Sequence, residues 1–420
     1  MAVPGRSGSP PTDTRGPPLW ASGSRRQTQD GALALRTYYA AALAVGGVYL
    51  PFFPRWLEAR GMFGVRLGVI AAAAPAMGVI APTAFGALAD ALKLRGGLLQ
   101  IACAGALLTF GVLTAASAAG LHLGFGVLFL CALVFALFRS PMGFVADLVA
   151  LELAPAAGTT YGRLRLWGSL GFLVAVLVAA RTVDPRDPVV FPAVTTGVIF
   201  AALLASLRLP RRADLPDRGD RHGALRLLVE ADFRLFLAAV FLGQCAHAAY
   251  DLCFTIHLFD LGVPRMTIGW MWALGTACEV LMMACSGPLF RAFAPLSLFA
   301  FAIGAGSFRW ALLAVVRSPA VLLLLQPLHA LSFALAWLAA VSYTSRRFPR
   351  HSLGTAQGLF STAMGAGSVV GMVVWGSVYQ RAGGAAVFGA AACLSACAAA
   401  FAAALDRRVR LRIEGPVTEE

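Results

Sequence analysis

The chain has 420 residues, 59% of them hydrophobic and only 13% charged. No soluble interior of this size hides so many apolar side chains, so the composition excludes an ordinary soluble domain and makes lipid the solvent for much of the surface. The net charge of +14 comes from arginines that punctuate apolar runs instead of clustering with aromatics, which argues against a nucleic-acid partner and for charged loops at a membrane face.

Residues 1–35 are rich in Pro, Gly, Ser and Arg and hold no apolar core of a signal peptide. They are expected to form a disordered cytoplasmic tail. Two apolar stretches of almost equal length follow, 36–207 and 235–405, joined by a polar linker at 208–234 that carries seven arginines and five acids. A bilayer span takes about 20 mostly apolar residues. The first stretch divides into spans near 36–54, 65–89, 97–117, 122–150, 166–183 and 188–207. The second divides near 235–259, 266–290, 295–316, 319–344, 354–379 and 384–405. The expected fold is therefore an all-α membrane protein with twelve transmembrane helices in two pseudo-symmetric six-helix bundles, ending in a cytoplasmic tail at 406–420.

Loop charge orients this arrangement. Of the 34 Lys and Arg residues, 24 fall on the side of the two termini and 8 on the other, while Arg139 and Arg309 lie inside spans. Basic residues collect in cytoplasmic loops, so both termini and the linker are expected inside. The Ala- and Arg-rich composition points to a bacterial inner (plasma) membrane, and a monomer is expected.

Ionisable residues inside spans are costly unless they face a cavity or a partner, so they mark the candidate site. Glu279, Arg309 and His329 lie on three consecutive spans of the second half. His247 and Asp251 share one face of the seventh span. A carboxylate beside a cation and an imidazole suits proton coupling, with Glu279 the first candidate and Asp251 the second. In the first half Arg139 and Asp147 lie two turns apart on the fourth span, and Arg165 opens the fifth. The arginine fork fits a carboxylate, which makes Arg139 the first candidate for a charged solute. Tyr39 and Trp272 are candidate stacking partners for a solute ring, as are Tyr38, Tyr49 and Trp337. His247, Gln326 and Gln357 are candidate polar contacts.

Between the second and third spans stands Gly86-Ala-Leu-Ala-Asp90-Ala-Leu-Lys93-Leu-Arg95. This resembles the Gly-x-x-x-Asp-Arg-x-Gly-Arg-Arg signature of the major facilitator superfamily. Gly86, Asp90 and Arg95 fit it, whereas Ala91 and Lys93 depart from it. The resemblance implies a gating role for Gly86, Asp90 and Arg95. Tyr161-Gly-Arg-Leu-Arg-Leu-Trp-Gly-Ser-Leu-Gly-Phe172 and Ile268-Gly-Trp-Met-Trp272 are similar to the phenylpropionate-permease-like branch, which is related to lactose permeases and nucleoside-proton symporters. That likeness implies proton-coupled uptake of a small organic solute, an aromatic carboxylate such as phenylpropionate foremost. The lactose-permease branch has a similar Glu, Arg and His on the same three helices. It adds a second Glu one turn after the His, where this chain has Ser332. The alternatives are sugar or nucleoside symport, drug efflux, and a transport-dead sensor or scaffold of the same fold.

No GxxxxGK[ST] pattern is present, so no ATP-driven pump is encoded. The six histidines show no HxxxH or HExxH grouping, and the eight cysteines lie in apolar segments without a CxxC pair. No enzyme activity, metal or cofactor is expected. Solute, protons and the lipid bilayer are the expected partners.

Overall fold

The computed structural model describes residues 25–91, 97–209 and 227–414, with 25–27, 82–91, 152, 350–351 and 413–414 described by backbone alone. The first six helices are α1 (Arg25–Glu58), α2 (Gly64–Ala91), α3 (Leu98–Ala118), α4 (Phe125–Ala156), α5 (Tyr161–Thr182) and α6 (Val190–Ser206). The second six begin with α7 (Ala231–Asp260), α8 (Arg265–Cys285) and α9 (Pro295–Val315). The broken helix α10 (Pro319–Arg347) follows, and then α11 (350–382) and α12 (384–414). Gly383, at φ 73°, separates the last two within one continuous helical run. Only glycine takes that conformation without strain, so it sets the hinge between two spans. A short helix, Gly287–Ala292, links α8 to α9.

Ten helices are long and apolar enough to cross a membrane when the run Ser352–Arg412 is counted once. Division at Gly383 and inclusion of the apolar, 17-residue α6 make twelve. Helix boundaries fall within a few residues of the expected spans for most elements. The largest difference is at the start, where α1 begins at Arg25 and so takes up the last part of the expected tail. At the other end α12 runs on to Glu414. Most of the expected linker, 210–226, lies outside the described residues.

The two halves repeat one packing scheme. Helix α1 lies against α5 as α7 lies against α11, and α3 against α6 as α9 against α12. Glycines permit the closest of these approaches. A Cβ on Gly171 would meet Ala40 O at 2.0 Å, and one on Gly371 would meet Cys245 O at 2.5 Å. In lipid there is little hydrophobic drive between helices, so small residues and hydrogen bonds supply the contact. Thr114 and Thr196 bond at 2.8 Å between α3 and α6, and Ser307 donates to Ala392 O at 2.8 Å between α9 and α12.

The bundles meet mainly in the half of the molecule remote from the termini, called here the distal half. A Cβ on Gly68 of α2 would meet Met372 O of α11 at 2.4 Å, and one on Gly376 would meet Gly64 O at 2.4 Å. Gly269 of α8 packs on Ala180 of α5 in the same way. Arg265 donates to Val183 O at 3.0 Å and lies 3.8 Å from Asp184. Arg55 stands 3.7 Å from Asp260, which also accepts from Tyr379 at 2.6 Å. The contact of α2 with α11 persists to mid-helix, where a Cβ on Gly365 would meet Val79 and Pro75, whereas nearer the termini Gly354 and Gly358 meet nothing within 4 Å. Among the described residues no ion pair joins the bundles there. The molecule is thus closed at its distal end and parted at the end that carries both termini.

Candidate functional site

The C-terminal bundle gathers the ionisable residues expected from the sequence. Arg309, on the fourth turn of α9, is 0% exposed. Its Nη1 donates to His329 Nδ1 at 2.9 Å and to Ser332 Oγ at 3.4 Å. Its Nη2 donates to Gln326 Oε1 at 3.4 Å. The guanidinium also lies over two rings, 4.3 Å from the Tyr250 centroid and 4.7 Å from Trp310. A desolvated cation–π contact contributes about 2 kcal/mol, which offsets part of the cost of an intramembrane charge. Among the described residues no carboxylate lies within 4.0 Å of Arg309, and its Nε has no hydrogen-bond partner. Its positive charge is held by rings and neutral acceptors.

That arrangement fixes the state of His329. Arginine only donates, so His329 Nδ1 must accept. The proton of the neutral ring then sits on Nε2, which lies 2.6 Å from Glu279 Oε1. Glu279 accepts there. The hydrogen-bond network thus assigns the tautomer and joins Arg309, His329 and Glu279 in one line across α9, α10 and α8.

The local fold of α10 makes this line possible. The helix is interrupted after Leu324, and Pro327 starts a new turn. Residues Ala330–Leu335 then form a π-helix. A π-turn adds a residue to the helical circumference and commonly marks a functional position. His329 and Ser332 flank or occupy it. Gln326, 0% exposed, fills the break. It donates to Leu322 O at 2.7 Å and accepts from Arg309 and, at 3.5 Å, from Tyr250. It belongs to the arginine's surroundings.

On α7, His247 Nε2 lies 3.7 Å from Asp251 Oδ1, one turn away as their spacing requires. The imidazole stacks 5.5 Å from His329 and 4.8 Å from Phe333. It makes no hydrogen bond with any described residue. Trp272 donates to Thr255 Oγ1 at 3.0 Å and packs 4.9 Å from Tyr250, so it ties α8 to α7 in the bundle interior. Gln357 on α11 is half-buried and makes no hydrogen bond among the described residues.

The N-terminal bundle holds the other cation. Arg139 on α4 is half-buried, with Nη2 3.1 Å from the position that a Cβ on Gly46 would take and with Phe172 alongside. Among the described residues it makes no hydrogen bond and no ion pair. Asp147, two turns on, does not serve it. That carboxylate accepts from Tyr39 at 2.6 Å and lies 3.7 Å from Arg165 Nε, which in turn stands 5.4 Å over the Tyr39 ring. Tyr39 is fully buried with its hydroxyl committed to Asp147. The two halves are thus unlike in charge. Arg165 has a carboxylate and Arg309 reaches one through His329, but Arg139 has none.

Gly86 and Asp90 fall on the last turns of α2, where the backbone alone is described, and Arg95 lies outside the described residues. Among the described residues no cluster of His, Cys, Asp and Glu is arranged to hold a metal. Tyr250 and the π-turn were not legible as parts of the site. For Tyr250 the one sequence signal was an aromatic next to an intramembrane Asp, and the π-turn had none.

The comparisons with known proteins agree with this architecture. The MFS_1 like family matches over residues 33–390. The Escherichia coli (strain K12) protein named "Probable 3-phenylpropionic acid transporter" is 28% identical over 347 residues, covering 80% of this chain and 88% of that one. The maltose permease of Geobacillus stearothermophilus is 30% identical over 363 residues, covering 84% and 89%. A mutant of the nucleoside transporter NupG superposes with a TM-score of 0.79 at 17% identity, covering 89% of this chain and 99% of the other, a likeness of fold alone. With its twelve helices in two repeated bundles, the chain belongs to the MFS_1-like family of major facilitator superfamily transporters, and resembles its phenylpropionate-permease-like branch.

Proposed function

We propose that this transporter imports a small organic monoanion, an aromatic carboxylate foremost, together with a proton. The observation that carries the reading is Arg139, an intramembrane cation with no anionic partner among the described residues. Such a charge costs several kcal/mol in a bilayer unless an anion joins it, and its fork suits two carboxylate oxygens. Gly46 leaves room for the guanidinium against α1. The E. coli relative is named for an aromatic acid, which agrees with this solute class.

Charge balance supports coupling to one proton. Three arginines, Arg139, Arg165 and Arg309, face three carboxyl groups, Asp147, Asp251 and Glu279, around the centre, with His329 neutral. One solute carboxylate and one proton, entering together, leave that sum unchanged. Glu279 is the proposed proton carrier, because His329 links it to Arg309, and Asp251 beside His247 is the second. In this reading both termini are cytoplasmic in a bacterial inner membrane, the structure faces inward, and a monomer is the working unit. Gly86, Asp90 and Arg95 would act as the gate at the cytoplasmic end. The bundles then rock about the central site to expose it to either side in turn.

A neutral sugar is the competing solute, favoured by the maltose permease relative, but it would leave Arg139 uncompensated. Uptake into proteoliposomes decides between them. We expect labelled 3-phenylpropionate to be taken up and maltose not, with Arg139→Gln losing the anion's uptake. Maltose uptake that survives Arg139→Gln would overturn the anion reading.

A further inference from the structure

Beside the Arg309–His329–Glu279 line lies a slot inside the C-terminal bundle that the transport reading does not use. Gln244 and His247 of α7 line one wall, and Ser332, Phe333, Ala336 and Trp337 of α10 the other. It reaches from Ser332 to Ala340, eight residues or about 12 Å along α10. The π-turn and the small residues Gly243, Gly306 and Ala336 open it. Its floor is closed by Phe299 and Phe360, which pack on Phe236 at 5.5 and 6.2 Å. Its side opens at Trp337, which is 40% exposed.

The slot holds about 50 Å³. A cavity of roughly 150 Å³ takes benzene, whereas a water needs about 10–15 Å³ and two to four polar partners. The volume therefore suits three or four waters and is too small for a solute ring. The polar partners are there. His247 is only 6% exposed yet makes no hydrogen bond with a described residue. Gln244 commits Nε2 to Ser368 Oγ at 3.0 Å and leaves its oxygen without a donor. Ser332 Oγ, which lines the slot, shares Arg309 Nη1 with His329 Nδ1, so the slot ends at the hydroxyl beside the end of the line.

We infer that this slot binds a short chain of water molecules and is the path by which the proton leaves the site, separate from the path of the solute between the bundles. The inference rests on the proton-coupled reading. In the loaded state Glu279 is a carboxylic acid donating to His329 Nε2, the ring carries its proton on Nδ1, and Arg309 Nη1 has turned from Nδ1 to donate to Ser332 Oγ alone. On release the Glu279 O–H bond breaks and an Nε2–H bond forms. The Nδ1–H bond breaks in turn, and that proton passes to slot water beside Ser332, making a hydronium ion that drains past Trp337. Arg309 Nη1 then donates to the bare Nδ1, as the structure shows, and bars return. No electron or further reactant is required. The groups that face the line are Arg309, Tyr250, His247 and Asp251, and none of them closes the slot.

Ala336→Leu fills the slot without touching the line. Two measurements on the full chain in proteoliposomes test the idea, with labelled 3-phenylpropionate as probe. The first compares net uptake driven by a pH gradient, which requires proton release, with solute exchange, which does not. Ala336→Leu is expected to lose at least about tenfold in net uptake and to keep exchange within about twofold. Ser332→Ala, which keeps the space but removes the hydroxyl, is expected to slow net uptake by several-fold. The second is radiolytic hydroxyl labelling, which marks side chains next to bound water. Phe333 is expected to be labelled in the wild type and protected in Ala336→Leu. Unchanged net uptake in Ala336→Leu, or no labelling of Phe333 in the wild type, overturns the slot as proton path. A wild type that exchanges solute but gains nothing from a pH gradient overturns the coupled reading, and the proton path with it.

Discussion

Replacement of Gly68 by alanine should force the distal end open. The added Cβ would lie 2.4 Å from Met372 O, 2.7 Å from Val373 Cα and 3.0 Å from Met372 C. All three are backbone atoms of α11 and cannot rotate aside. Ordinary contact begins near 3.4 Å, so α11 must retreat by about 1.0 Å. Overpacking of this kind costs about 1–3 kcal/mol. Alanine also favours the helix over glycine by roughly 0.5–1 kcal/mol, but α2 is helical in both conformations, so that gain cancels. The packing cost falls on the distally closed state alone. At about 1.4 kcal/mol per tenfold, it shifts the population toward the distally open state by roughly 5- to 150-fold. Electron–electron resonance between spin labels at Arg186 and Pro264, exposed positions on the two bundles, measures this in a cysteine-free background. The distance distribution should lengthen in Gly68→Ala. Gly111→Ala, whose Cβ meets nothing within 4 Å, should leave it as in the wild type. An unchanged distribution in Gly68→Ala would refute the claim that glycine contact between α2 and α11 sets distal closure.

The remaining predictions concern charge. Asp260→Asn removes the partner that Arg55 has on the other bundle, leaving it Glu58 on its own helix, and weakens the Tyr379 bond. Such half-exposed pairs contribute about 0.2–1 kcal/mol, so the same spin-label pair should show a shift of only a few-fold toward the open state. Arg139→Lys keeps the charge and loses the fork, and should raise the half-saturation concentration for 3-phenylpropionate about tenfold in uptake assays, with Arg139→Gln losing more. Glu279→Gln should keep exchange of labelled solute but abolish accumulation against a gradient. If Glu279→Gln still accumulates solute, Asp251 becomes the proton carrier.

The twelve spans were legible because a bilayer imposes one length and one polarity on every crossing, and their edges follow where charge resumes. Glu279, Arg309 and His329 were legible for a related reason, since an intramembrane charge has few explanations. What each one touches was not. Asp147 and Arg139 share a face of α4, yet Asp147 is taken by Tyr39, 108 residues away, and helical spacing carries no trace of such a pairing. Gln326 reads as a solute contact until the break in α10 turns it toward Arg309. The π-turn at Ala330–Leu335 leaves no mark on hydropathy, because one extra residue per turn does not alter an apolar run. Gly383 shows the converse case. The chain must reverse there within a single helical stretch, and a glycine at positive φ was the one local device available.

Proton coupling is the central claim, and proteoliposomes with an imposed pH gradient test it most directly. With the exterior acidic, the wild type should concentrate labelled 3-phenylpropionate above the level reached without a gradient. A protonophore should abolish the effect, and a membrane potential alone should not reproduce it, because one carboxylate and one proton carry no net charge. Equal uptake with and without the gradient, in vesicles that exchange the solute, would contradict the account.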